Sequence, residues 1–249
     1  MKKTNFLFLL MMLCFGIGCE SKKEEFPISK RYWTPKDYEN VIRKLKYGYQ
    51  PDEKLPAFSD PNTRVVVEKL TDQQNFKVVL TDSELGLNYK NEVASEFFNR
   101  WRDMNGVYDA TNRKDQYVYE KEMIKVWHFG LQLQLYYFKL GNDQILQEAD
   151  DPKSRNTQLS VRSNANTLIE NFTIYLDEIN RESYYTKEGL QLYVSGIDRY
   201  FKELVELYPK GDYSLMLKKI ELLLKKSKSD LIQSSLQNLK LWISKAQSV

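Results

Sequence analysis

Four successive stripes of apolar residues in the last third of the chain leave it few folds to choose from. Val161, Ala165, Leu168, Phe172, Tyr175 and Ile179 are spaced by fours and threes. Leu190, Val194, Ile197, Phe201, Leu204 and Tyr208 repeat the spacing until Pro209, Lys210 and Gly211 break it. Leu217, Ile220 and Leu224 carry it on, and Ile232, Leu236, Leu239, Ile243 and Ala246 repeat it once more. Such a spacing makes one face of an α-helix apolar. Segments of this kind joined by short turns fold back on one another as antiparallel neighbours. The expectation is an all-α chain, a multi-helix bundle or an array of helical hairpins.

The preceding stretch from Tyr117 to Leu140 is the most apolar of the chain's body. Leu131, Leu133 and Leu135 alternate as in a strand, but the run carries no early turn residues and far exceeds the ~5–6 residues of an ordinary strand. It reads as a helix whose apolar residues cover much of its circumference, which requires neighbours on several sides. His128, Gln132, Gln134 and Lys139 argue against a membrane span.

Towards the N-terminus, Thr34 and Pro35 make an N-cap and first helical position ahead of Tyr38, Val41, Ile42 and Leu45, with Gly48 as the stop. Five of the seven prolines precede residue 62, so residues 50–60 read as a loop. A helix from Asp60-Pro61 to Leu70 is expected next. The β-branched Val65, Val66, Val67, Val78 and Val79 leave a small β-hairpin near 63–81 as the alternative. Thr81 and Glu84 have capping-box spacing before a stripe of Leu85, Tyr89, Val93, Phe97, Trp101 and Met104. Asn105-Gly106 ends it, and residues 109–114 form a polar linker between an N-terminal helical part (31–110) and a C-terminal bundle (111–249).

Residues 1–18 are of another kind. Lys2 and Lys3 precede an apolar run from Phe6 to Phe15, shorter than the ~20 residues that span a bilayer, and Gly16, Ile17 and Gly18 lead to Cys19. This segment resembles the signal of bacterial lipoproteins, with Gly16 where that class carries a leucine or a similar residue. The resemblance implies cleavage before Cys19, a lipid on Cys19, and a tether over 19–30 whose charged residues Lys22, Lys23, Glu24 and Glu25 resemble sorting signals. It places the protein in the cell envelope, on the outer membrane in the first instance. A second, local resemblance joins Tyr200 to Leu224, with Phe201, Tyr208-Pro209 and Tyr213, to the junction between helices in tetratricopeptide-type repeats of envelope proteins.

Cys14 lies in the signal and Cys19 takes the lipid, so the body holds no thiol, and His128 is its sole histidine. Zinc sites of the Cys/His kinds and a Cys–His dyad are thereby excluded. No calcium loop, glycine-rich phosphate loop, G-x-S-x-G or H-E-x-x-H occurs. Glu120 with Glu122, two apart on a helix, point away from each other. Without Lys2 and Lys3, 35 basic residues stand against 34 acidic ones, which gives no electrostatic case for nucleic acid. The lysines of 210–249 read as a solvated face.

These residues imply a non-enzymatic protein with no cofactor and no metal. It is expected to act as a binding or scaffold subunit of a membrane-associated assembly, with an envelope protein partner. A binding protein for a small molecule, lipid or glycan with an aromatic pocket is the alternative. Of the seventeen tyrosines, Tyr193 and Tyr200 form a second stripe beside a core seam, either buried with it in one wide bundle face or exposed to a partner. With Trp33, which reads as a hydrophobic staple or an interfacial aromatic, they are the candidate partner-binding residues.

Overall fold

The computed structural model describes residues 26–50, 52–108 and 116–248. The signal peptide, Cys19, the tether up to residue 25 and the linker over 109–114 lie outside the described residues. Among the described residues every regular element is helical, as the stripes require. Phe26 is already buried, and the Pro27 carbonyl accepts from the Trp33 indole N–H at 2.9 Å. The chain is therefore fastened to the fold from its first described residue.

Helix α1 (Pro35–Tyr47) starts as its sequence dictates. The Thr34 hydroxyl accepts from the Asp37 N–H, and the Asp37 carboxylate accepts from the Thr34 N–H, a reciprocal capping box. Trp33, just before the cap, packs edge-on against Tyr38 in the first turn with ring centres 5.8 Å apart. This is a hydrophobic staple. The proline-rich loop that follows is pinned from Leu55 to Phe58 by three bonds. Leu55 N–H donates to the Tyr119 hydroxyl, the Tyr108 hydroxyl donates to the Pro56 carbonyl, and Phe58 N–H donates to the Glu122 carboxylate.

The hairpin near 63–81 does not form. Two short helices, α2 (Arg64–Leu70) and α3 (Gln74–Leu80), occupy the segment. Asn75 decides the matter, because its side chain joins three separate pieces of chain. It accepts from the Trp33 N–H at 2.8 Å and donates to the Tyr38 hydroxyl and the Lys69 carbonyl. With Val66, Val67, Leu70, Phe76 and Leu80 buried, packing outweighs a β preference worth ~1 kcal/mol. The capping box at Thr81 is also unused. Thr81 closes α3 with its hydroxyl on the Lys77 carbonyl, and α4 (Leu87–Met104) begins only after Gly86. Leu85 stays outside that helix and Tyr89 is exposed, so its buried face is Ala94, Phe97 and Met104, with Trp101 half-buried.

Helix α5 (Glu120–Glu148) then runs through the middle of the molecule. One side of it, with Met123, Val126, Phe129, Leu133 and Leu140, closes a core with α1–α4. The other, with Ile124, Leu131, Leu135 and Phe138, closes a second core with everything that follows. Those later elements are α6 (Arg155–Tyr175), a 3-10 helix (Leu176–Tyr184), α7 (Lys187–Gly196), a π turn (Ile197–Phe201), α8 (Lys202–Leu207), α9 (Ser214–Lys226) and α10 (Asp230–Gln247). The segment resembling a tetratricopeptide-type junction is a helix-to-helix turn, closed by the Tyr213 hydroxyl on the Leu204 and Tyr208 carbonyls.

Glu120 and Glu122, buried at the start of α5, hold separate loops. Glu122 takes Phe58, and Glu120 accepts from the backbone N–H (2.9 Å) and hydroxyl of Thr186, the N-cap of α7. Gly130 lets α4 lie close on α5, since a Cβ there would stand 2.0 Å from the Trp101 indole. Gly130→Ala gains roughly 1 kcal/mol of helix propensity. Overpacking in a filled contact opposes it with about 1–3 kcal/mol, and the indole is too stiff to swing away freely. The expected outcome is a net loss of stability, read as a lowered urea midpoint with the helical circular-dichroism signal retained.

Candidate functional site

A cleft of about 350 Å³ opens where α4, α5 and α6 meet above the 3-10 helix. That volume suits a small ligand. Trp101 and Asn105 come from the end of α4, and Trp127, Leu131 and Gln134 from successive turns of α5. Asn171, Ile174 and Tyr175 come from α6, and Asp177, Glu178 and Arg181 from the 3-10 helix. Both α4, ending at Met104, and α6, ending at Tyr175, terminate beside α5 at the cleft.

Its aromatic walls are held firmly. The Trp101 indole N–H donates to the Val126 carbonyl at 3.2 Å, and the ring rests on Gly130 beside Phe98. Trp127 stands edge-on to Tyr175 and to Tyr193. Those two tyrosines stack at 4.7 Å, and each hydroxyl donates to the other's backbone carbonyl. Burial raises both hydroxyls well above the usual tyrosine range, so they stay neutral.

The polar groups are fixed as well. Gln134 donates to the Gly130 carbonyl at 3.3 Å and accepts from Asn171 at 3.0 Å. Asp177 pairs with Lys219 at 2.7 Å. Glu178 pairs with Arg181 at 3.6 Å and accepts from the hydroxyls of Tyr117 and Tyr185. Both carboxylates at the cleft thus already have cationic partners.

The candidate partner-binding residues lie elsewhere, and all three are buried. Trp33 staples α1 and also lines a separate recess of about 390 Å³ shared with Val78, Tyr89 and Val93. Tyr193 is in the core behind Trp127. Tyr200 donates no surface either: its ring packs on His128, and its hydroxyl accepts from the Gln73 amide at 2.7 Å. Seven residues apart, Tyr193 and Tyr200 would share a line on a regular helix. The π turn at Ile197–Phe201 turns less per residue than an α-helix and so shifts their relative direction, with Tyr193 against Tyr175 and Tyr200 against His128. They do not make a docking stripe.

The residues that do gather at the cleft carried little signal. Trp101 and Trp127 belong to helical stripes, and Gln134 stands out only as a polar residue in the most apolar stretch. Asn171, Asp177, Glu178 and Arg181 follow no spacing rule. Among the described residues no group of three or more His, Cys, Asp or Glu is placed to hold a metal ion. No helix among them is long and apolar enough to cross a membrane. No family model, curated protein or solved structure matches the chain.

His128 is buried, and its Nε2 has no hydrogen-bond partner. Gly196 makes room for it, because a Cβ there would come within 2.3 Å of Nε2. Burial, with the charges of Lys125 and Arg199 nearby, pushes its pKa down to about 3. The unfolded chain takes up this proton near the ordinary value of 6.5, and the folded chain does so only near 3. Stability is therefore unaffected above about pH 6.5 and falls below it, by up to about 1.4 kcal/mol per pH unit. The expected outcome is that His128→Gln loses less stability than the parent chain between about pH 7 and pH 5, measured as urea midpoints.

Proposed function

We propose that this chain is a lipid-anchored protein of the cell envelope that binds a ligand without transforming it, and that the ligand sits at Trp101 and Trp127. The observation that carries the second half is the cleft itself. It sets two half-buried tryptophans beside three amide side chains, Asn105, Gln134 and Asn171, with its carboxylates engaged in ion pairs. A recess of this kind, aromatic with a few convergent polar groups, is the usual form of a small-molecule site. A carboxylate tied to a cation and to hydroxyl donors is poorly placed to shuttle protons, which favours binding over catalysis.

The anchor rests on Cys19 following an apolar run, in a chain whose body has no other cysteine. One acyl chain gives only marginal membrane binding, so a firm anchor needs several chains on this residue. Cys19→Ser is expected to abolish incorporation of labelled palmitate and to move the protein from the outer-membrane fraction to the soluble one. Retention of both label and membrane association would remove the lipoprotein reading.

For the cleft, the lipidated protein purified from envelopes is compared by native mass spectrometry with a Trp101→Ala/Trp127→Ala variant. The expected result is a bound small molecule on the parent chain that the variant loses. An identical spectrum for both proteins counts against the cleft.

A second reading, a scaffold subunit holding an envelope protein, is favoured by one feature. Leu215 and Leu222, each 58% exposed, lie one heptad apart on the outer face of α9. Leu215→Lys with Leu222→Lys is expected to leave the fold intact and to release a stoichiometric partner from detergent-solubilised envelopes. A partner that stays bound removes this face from consideration.

A further inference from the structure

We propose that the cleft takes a neutral carbohydrate, with a sugar ring laid against Trp101 and Trp127 and its hydroxyls read by Gln134, Asn171 and Asn105. The proposal rests on the cleft being the ligand site and adds the chemical class of what fills it. Charge pairing within the site is what selects the class. A cationic amine is drawn to aromatic faces and free carboxylates. Here Lys219 already neutralises Asp177 and Arg181 already neutralises Glu178, so an incoming cation would compete with both pairs. An anion would find Arg181 alone among the lining cations, and that guanidinium faces a carboxylate.

An acyl chain fits no better. It would bury the amide hydrogen-bond capacity that Gln134 and Asn171 keep beyond their mutual bond, at ~1–3 kcal/mol for each group left unmatched. What the cleft still offers is an aromatic wall and the donor and acceptor capacity that its amides keep beyond the Gln134–Gly130 and Asn171–Gln134 bonds. A sugar ring has the matching form, an apolar C–H face with hydroxyls around its edge that also donate and accept. The volume of about 350 Å³ stands at the small end for ligand sites, which suits roughly one or two rings. Ile174, 64% exposed at the rim, is placed to meet the C–H face of the next ring of a longer chain.

The test is intrinsic tryptophan fluorescence and calorimetry on the mature full-length protein. The neutral probes are maltotriose, cellotriose, xylotriose, mannotriose and triacetylchitotriose. Choline, laurate and trigalacturonate serve as probes of the competing chemistries. The expected result is saturable binding of at least one neutral trisaccharide, weakened tenfold or more in Trp127→Ala and in Asn171→Ala. Asn171→Ala removes a partly exposed amide, so its thermal melt separates lost binding from lost fold. Trp127→Phe keeps an aromatic ring, and it is expected to retain more affinity than Trp127→Ala.

Binding of choline, laurate or trigalacturonate in place of the neutral sugars, with the same dependence on Trp127, overturns the carbohydrate class and leaves the cleft as the ligand site. A trisaccharide that binds equally to parent and variants overturns the site. No response to any probe overturns the carbohydrate proposal. If native mass spectrometry also shows no ligand lost with the tryptophans, the cleft falls with it.

Discussion

The burial of α5 on both sides is the constraint on which the rest of the molecule depends. Phe129 and Leu133 face the core made with α1–α4, while Leu131 and Leu135 face the core made with α6–α10. A helix apolar all round has no stable state in water alone. Neither half of the chain therefore completes a core without it. The polar residues on α5 serve the same joining role. Gln132 accepts from Lys77 of α3 and donates to Glu203 of α8, and Glu120 caps α7 while Glu122 holds the proline-rich loop. Lys77, pushed below its ordinary pKa by burial and by Arg199, stays in this network through Gln73 and Gln132.

The same helix explains why the cleft sits where it does. Trp127, Leu131 and Gln134 lie on successive turns of α5, between the parts of its surface covered by α4 and by α6. Gly130 lets Trp101 come close from one side. The reciprocal Tyr175–Tyr193 pair braces the other, so the aromatic walls are fixed before any ligand arrives. Ordered walls reduce the entropy lost on binding. The ion pairs set Asp177 and Glu178 each against a cation at the cleft.

Much of the fold was legible in the residues. The Thr34-Pro35 start of α1, the stripes of the last third and the two-sided burial of α5 all follow from local chemistry and period. The segments that were not legible share one cause. The valines at 65–67 and 78–79 fit strand or helix, and Asn75, bonded to Trp33, Tyr38 and Lys69, settled the choice through contacts far along the chain. Thr81 and Glu84 satisfied a capping rule on paper, but Thr81 was already occupied in ending α3. The period of Tyr193 and Tyr200 fits a buried seam or an exposed one, and packing against Tyr175 and His128 made both core residues.

The sequence by itself determined the helical class, the core faces and the segment at Cys19 that resembles a lipoprotein signal, because each depends on neighbours within a few residues. Only the tertiary structure decided the cleft. Its residues come from three helices and a 3-10 segment, spread from Trp101 to Arg181, and nothing in their spacing marks them. Helical periodicity tells which side of each helix is apolar, but not where two helices end against a third and leave part of its surface uncovered.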